Sequence, residues 1–356
     1  MGRAQQDRPP AHLSNVIRGS VIRRLGIGLV FSAWAAAQVP HIGDINLYGL
    51  RKVSAQKLLS VVKLESGDRL PGSKGELEDR IEEVSGVVLA RVEAVCCEGR
   101  EAILFVGIEE RGGPHPALRS APAGDAVLPA DLVANYRQFL DAVERAATQG
   151  NAAEDLTAGH SLMADPRARA FQEQFAAFAA SHIELLRGVL RNASEPEERA
   201  IAAAVIGYAP RKQEVVDDLQ YAVEDPDEGV RANAIRSLSA IAVLEVKRPD
   251  LAISLAPTWF VDLLNSVVLS DRVEAVRALI NLTEVPNRAA LELIRERALP
   301  ALVEMARWKT LSYALPPFLL VGRIAGLPDD QIRQHWEKGE REPVIQIALA
   351  PVRRRR

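Results

Sequence analysis

The sequence predicts a two-part fold, mostly helical overall: an α+β module in the order β-α-α-β-β with a three-stranded sheet, then an all-α array of stacked helix pairs. Three observations carry this. The stretch EPEERAIAAAVIGYA (Glu195 to Ala209) returns as DPDEGVRANAIRSLS from Asp225, 30 residues later, and in part as DRVEAVRALINL from Asp271. A helical unit that keeps its apolar register while its loops vary in length is the mark of a solenoid. Ahead of it, residues 39–112 switch between period-two and helical apolar spacing. Between the two, residues 113–130 are rich in proline, glycine and alanine and follow neither period.

Length and composition fit this division. The chain has 356 residues, enough for two domains, and 48% of them are apolar, enough for a sizeable core. Aromatic residues make up only 5% while alanine and leucine dominate, which favours helix-on-helix packing. With 44 basic and 47 acidic residues the net charge is −3, so there is no basic field and no nucleic acid is expected as a partner.

Residues 1–37 read as a secretory signal peptide. Arg18, Arg23 and Arg24 precede the apolar run Leu25 to Ala37, which is short for a bilayer span, and Ala35-Ala36-Ala37 supply the small residues a signal peptidase needs. The expected product is exported, periplasmic or secreted, with no transmembrane segment after signal removal. The two cysteines, Cys96 and Cys97, are adjacent. Neighbours in a strand point to opposite faces, so one is expected packed and the other half-exposed, with a redox-active vicinal pair as the alternative.

In the module, Ile42 to Tyr48 alternates as a strand and Gly49 breaks it. Ser54 is placed as the N-cap of a helix bearing Leu58, Leu59 and Val62, and Ser73 as the cap of a second bearing Leu77, Ile81 and Val84. Two strands follow Gly86, joined at Glu98-Gly99-Arg100-Glu101, so two helices should cover one face of the sheet. This order, with Gly67-Asp68 after the first helix, Gly86-Val87 into the hairpin and Glu109-Glu110 at its close, resembles a POTRA domain over residues 39–112. The resemblance implies a periplasmic module that binds extended polypeptide by adding a strand to its sheet edge. Envelope and outer-membrane proteins are among the partners it implies. A single module without barrel strands is not itself a pore. On the strand Leu89 to Cys97, Arg91 and Glu93 share one face and Ala90, Val92 and Ala94 the other. Arg91 and Glu93 are therefore candidate partner-binding residues; the plainer reading makes them charges that protect an edge.

Residues 113–130 read as a partly extended spacer with His115 solvated, and residues 131–350 as the helical domain, led by a helix from Asp131 to Ala147. Phe171, Phe175, Phe178, His182, Leu185 and Val189 step along one stripe of a single long helix, with His182 a core histidine. Val215, Val216, Leu219 and Val223 form the stripe of a partner helix, and Asp227 is positioned to pair with Arg231 one turn on. Further helices are expected near Leu291 to Arg307 and Pro316 to Ala325. The Asp225-Pro226 turn followed by V-R-x-N-A-x-R-x-L resembles a HEAT repeat, most closely from Asp225 to Leu238 and more loosely over residues 167–345. The resemblance implies a curved surface that holds proteins or peptides. Trp259, Phe260, Trp308 and Trp336 are candidate anchors on its concave face, Trp259 and Phe260 first, with inter-repeat packing expected for at least half of the four. Residues 351–356, which end in Arg353 to Arg356, read as a solvated basic tail.

One stretch, residues 151–166, does not look like solenoid. It brings together Glu154, Asp155, His160 and Asp165, a set that would suit a divalent metal or proton transfer. The plainer reading has Asp165-Pro166 start the next helix as N-cap and first residue. The phosphate-binding glycine loop and the HExxH, CxxC and G-x-S-x-G signatures are absent, so neither enzyme activity nor a cofactor is expected. The resulting expectation is an exported cell-envelope scaffold or adaptor that binds polypeptide through the sheet edge and the concave face of the array. The alternative is a metal-binding protein or enzyme centred on residues 151–166.

Overall fold

The computed structural model describes residues 40–98 and 101–351, with the side chains of residues 97 and 98 left out. The expected signal peptide, hairpin tip and basic tail therefore lie outside the described residues. The module runs β1 (Ile42–Tyr48), α1 (Ala55–Val62), α2 (Lys74–Glu82), β2 (Val87–Glu98), β3 (Glu101–Glu110), as its alternation and caps predict. Ser54 and Ser73 accept hydrogen bonds from the N–H groups of Lys57 and Glu76 and cap α1 and α2. The sheet order is β1-β3-β2, with β1 parallel and β2 antiparallel to the central β3. Cys96 is disulfide-bonded and so is not a free thiol.

Both faces of this sheet are buried, where the sequence suggested cover on one. Ile42, Leu104, Val106 and Ile108 pack with Leu58, Leu77 and Ile81 under the two helices. Tyr48, Ile103 and Phe105 belong instead to the core of the helical array. A register shift between Ile42 and Asp44 makes this possible, because it keeps Ile42 on the helix side while Asn46 and Tyr48 turn to the array. Gly107 in β3 is required by the same contact: a Cβ there would lie 2.3 Å from the Tyr48 ring.

The array comprises α3 (Ala130–Thr148), a small hairpin of β4 (Glu154–Asp155) and β5 (Leu162–Met163), and then α4 (Pro166–Ser181), α5 (Ile183–Asn192), α6 (Pro196–Ile206), α7 (Gln213–Val223) and α8 (Glu228–Lys247). It continues through α9 (Thr258–Leu263), α10 (Leu269–Leu282), α11 (Arg288–Arg297), α12 (Leu299–Ala306), α13 (Leu311–Ile324), α14 (Asp329–Glu337) and α15 (Arg341–Leu349). Helices α6, α8, α10, α13 and α15 form one layer, each packed on the next, and α5, α7, α9 and α12 pair with it from the other layer. Three local expectations are corrected. The long helix breaks at His182, which is exposed and stacked on Phe178 at 4.3 Å, so Leu186 rather than Leu185 enters the core. Helix α13 begins at Leu311, not Pro316, and carries Pro316 and Pro317 inside it. Asp227 caps α8 by accepting from the N–H groups of Gly229 and Val230, and Arg231 pairs elsewhere.

Arg231 reaches the next repeat. Its guanidinium donates to both carboxylate oxygens of Asp271, at 2.8 to 3.1 Å, and its remaining nitrogen donates to the carbonyls of Asp225 and Pro226. Arg199 does the same one repeat earlier, binding Asp225 at 2.9 Å and the carbonyls of Ala193 and Ser194. Arg272 follows one repeat later, with the Ser266 carbonyl and Glu304 as partners. Each arginine heads a helix, satisfies the carbonyls of the turn before it, and is tied to an acid of the following repeat. These arginines, not the two prolines, mark equivalent positions. Pro196 is the first residue of α6 whereas Pro226 precedes the cap of α8, so the proline alignment is two residues out of step.

The module docks on the far end of this ladder. Gly49 and Leu50 donate their N–H groups to the Glu304 carboxylate, and the Tyr48 hydroxyl donates to the Val267 carbonyl at 2.8 Å. Asn46 donates to Thr310 and accepts from the Lys309 N–H. Trp308 is buried between the two bodies: its indole N–H donates to the Leu47 carbonyl, and its ring lies 5.9 Å from Tyr48 and 5.1 Å from Phe105. Trp308 is thus packing between module and array, not a partner anchor. The β1–α1 turn is held from within by Glu110, whose carboxylate accepts the N–H groups of Arg51, Lys52 and Val53. Burial would raise the Glu110 carboxyl, but these three bonds outweigh it and hold it below the usual range.

Candidate functional site

The turns of the ladder carry an unexpected passenger. Residues 113–129 do not form a free spacer; they lie as a strap across the helix–helix turns of three consecutive repeats. Gly113 and Pro114 border a small cleft with Asn265 and Arg272 at the α9–α10 turn. At the α7–α8 turn the Arg119 N–H donates to the Glu224 carbonyl at 2.8 Å. The Arg119 guanidinium lies 3.9 Å above the Tyr221 ring, donates to the Tyr221 carbonyl, and forms an ion pair with Asp225. At the α5–α6 turn the Ser194 N–H donates to the Gly124 carbonyl, and a Cβ on Gly124 would sit 2.4 Å from the Asn192 carbonyl oxygen. The strap ends where the Leu128 N–H meets the Glu198 carboxylate at 2.7 Å, at the start of α3.

Among the candidate partner-binding residues, Arg91 and Glu93 lie on β2, which is an edge strand, and both are half-buried on the array side. The edge beside them is already covered. Glu82 of α2 accepts the Ala90 N–H at 2.9 Å, Glu78 accepts the Val92 N–H at 2.8 Å, and Arg91 donates to the Ala90 carbonyl. Lys74 sits 3.7 Å from Glu78 and 3.9 Å from Glu93 and bridges helix to strand. The carboxylates stand where the carbonyls of an added strand would. Replacing both, Glu78→Ala with Glu82→Ala, should accelerate amide exchange at Ala90 and Val92 while leaving Val106 in the central strand protected; unchanged exchange would show that α2 does not guard the edge. Of the two aromatic candidates, Trp259 is half-buried at the array surface, whereas Phe260 is 1% exposed and belongs to the core. The two are neighbours on α9, so one faces in and the other does not.

The candidate metal ligands do not converge. Asp165 caps α4 by accepting from Arg167 and Ala168, Asp155 accepts the Thr157 N–H, and Glu154 is exposed on β4. Among the described residues no three histidine, cysteine, aspartate or glutamate side chains gather as a metal site. His160 faces a cation instead. Its Nδ1 is 3.1 Å from the amine of the buried Lys212, which also donates to the Gly207 carbonyl, and its ring packs on Tyr208. Burial, then the Lys212 charge, lowers His160 to about 4, and burial lowers Lys212 to about 7. Nothing in the sequence singles out Lys212; only the fold brings it under the hairpin. A histidine that stays neutral to about pH 4 when folded, but ionises near 6.5 when unfolded, leaves the unfolded state holding more protons between those values. Its contribution to stability is therefore complete above pH 6.5 and is lost as pH falls toward 4. His160→Phe should flatten the pH dependence of the melting temperature across that window, and an unaltered profile would contradict the burial of a neutral ring.

Comparison with known proteins bears on the array. Residues 183–278 match the family of HEAT repeats. No curated protein matches the chain. Among solved structures it is similar to a designed armadillo repeat protein, YIII(Dq)4CqI, at 19% identity and a TM-score of 0.35, over 53% of this chain and 88% of that one. It is also similar to the designed armadillo repeat protein YIII(Dq.V1)4CPAF, solved in complex with the peptide (KR)4, at 17% identity and a TM-score of 0.34, over 62% of this chain and 98% of that one. The chain is thus a mostly helical repeat solenoid with a small three-stranded sheet, and the HEAT-repeat match covers its residues 183–278.

Proposed function

We propose that this protein is a scaffold of the cell envelope that holds extended polypeptide against its helical array. The observation that carries this reading is the strap: an irregular, largely exposed segment is already held on two consecutive repeats by main-chain bonds and one inserted arginine, and borders a third. An array that seats one extended segment has the donors, acceptors and shape to seat another. The module supplies a second surface at the β2 edge, which in a POTRA-like domain serves strand addition. Here α2 covers that edge over Ala90 and Val92, so the array is the surface we assign to the partner first and the edge second. Location in the envelope rests on the basic and apolar pattern of residues 18–37.

Photo-crosslinking in cells that express the chain tests this, with the probe placed at Trp259 and, separately, at Arg91. The expected result is a discrete set of envelope-protein adducts at Trp259 and a weaker set at Arg91. Smears of unrelated proteins at both positions, or no adducts at either, would end the scaffold reading. Cleavage after Ala37, read by sequencing the N-terminus of the mature protein, checks the address.

A further inference from the structure

The contacts around Arg119 form a complete recognition site for an arginine in an extended chain. We propose that the Tyr221–Asp225 turn is an arginine pocket of the array, filled in cis by the strap and open to an arginine-bearing, proline-flanked segment of another polypeptide. This rests on the scaffold reading above and names the chemistry of the partner. The pocket reads side chain and main chain together. The guanidinium sits over the Tyr221 ring, the Asp225 carboxylate and Tyr221 carbonyl accept its hydrogen bonds, and the Glu224 carbonyl accepts from the N–H of the same residue. Asp225 is fully buried and already balanced by Arg199, so the ladder does not need Arg119 to neutralise it. The second arginine above Tyr221, Arg191, has its own partner in Asp218. A lysine has neither the plane to stack on the ring nor the fork to meet carboxylate and carbonyl together.

The site belongs to this repeat alone among the three turns the strap crosses. At the next rung the Asp271 carboxylate is met by the Ser266 hydroxyl at 2.7 Å, from within its own turn. At the preceding turn the strap presents Gly124, which has no side chain. The neighbours of Arg119 are loosely held: Leu118 is among the exposed large hydrophobic residues. Releasing the strap here therefore means giving up one residue's contacts. Because the strap is tethered, its effective concentration at the pocket is on the order of millimolar, so a short competitor is excluded unless Arg119 is removed or the competitor gains contacts elsewhere.

The test uses the purified full chain and a labelled peptide with the strap's own sequence, HPALRSAPAG, together with forms carrying lysine or alanine in place of its arginine. Arg119→Ala is expected to bind the arginine peptide at least about tenfold more tightly than the wild-type chain, and to lose at least about tenfold with either altered peptide. Equal binding of all three peptides, or of none, would overturn the pocket. Should Arg119→Ala prove unfolded by circular dichroism, the wild-type chain serves instead. Excess arginine peptide should then accelerate exchange at its Arg119 amide, and the alanine peptide should not. Adducts at Trp259 in cells without any response to the arginine peptide would sink the pocket and leave the scaffold reading standing.

Discussion

Replacing Arg231 with alanine is expected to cost about 3–5 kcal/mol, the loss typical of stripping one partner from a buried ion pair. That is a large share of the roughly 5–15 kcal/mol that separates folded from unfolded domains. Arg231 is 1% exposed and Asp271 fully buried. With the guanidinium gone, Asp271 keeps only the Ser266 hydroxyl among its side-chain partners, and the carbonyls of Asp225 and Pro226 lose their donor. The variant should unfold at markedly lower urea, with helices α7 to α10 losing exchange protection first. Arg231→Met with Asp271→Leu removes both charges, so the double variant should be less destabilised than the sum of the two single changes. Strict additivity would mean that the pair is not coupled and that the ladder is not what joins the repeats.

Trp308→Ala is the second large effect, again about 3–5 kcal/mol, because it opens a cavity at a fully packed aromatic site and removes a hydrogen bond. Its consequence differs from that of the ladder. Trp308 touches Tyr48 and Phe105 across the join, so its loss should uncouple the module from the array. Wild-type protein is expected to unfold in one cooperative transition seen equally by near-ultraviolet and far-ultraviolet circular dichroism. In Trp308→Ala the near-ultraviolet signal of the remaining aromatics should change at lower temperature than the helical signal. Coincident transitions in the variant would show that module and array stay coupled without Trp308.

The parts of this fold that the sequence made readable are those whose signal is local. Period-two alternation marked β1 from Ile42 to Tyr48, and Ser54, Ser73 and Asp165 announced the helices they cap. What stayed hidden depends on partners far along the chain. Asn46 looks like the polar face of a half-exposed strand, yet it is buried because Thr310 and Lys309 meet it. Arg231 had a plausible partner four residues away in Asp227, and the true partner lies 40 residues on. The strap is the clearest case. Its proline and glycine content correctly excludes helix and sheet, but composition does not distinguish an extended segment in solvent from one pinned by a single arginine. The candidate site followed the same division. Trp259 was found by its type, Phe260 shared that type but points inward, and the Lys212 amine beside His160 carried no sequence signal.

The most direct measurement for the central claim, that the array holds extended polypeptide, is residue-resolved amide exchange across the strap in the intact chain. The Arg119 amide, bonded to the Glu224 carbonyl, should exchange as slowly as the helical amides of α8, while Ala117 and Ala121 on either side exchange rapidly. If Arg119 instead exchanges at the rate of an unprotected peptide, the strap is not held, and the reading of this array as a polypeptide-binding surface loses the observation on which it stands.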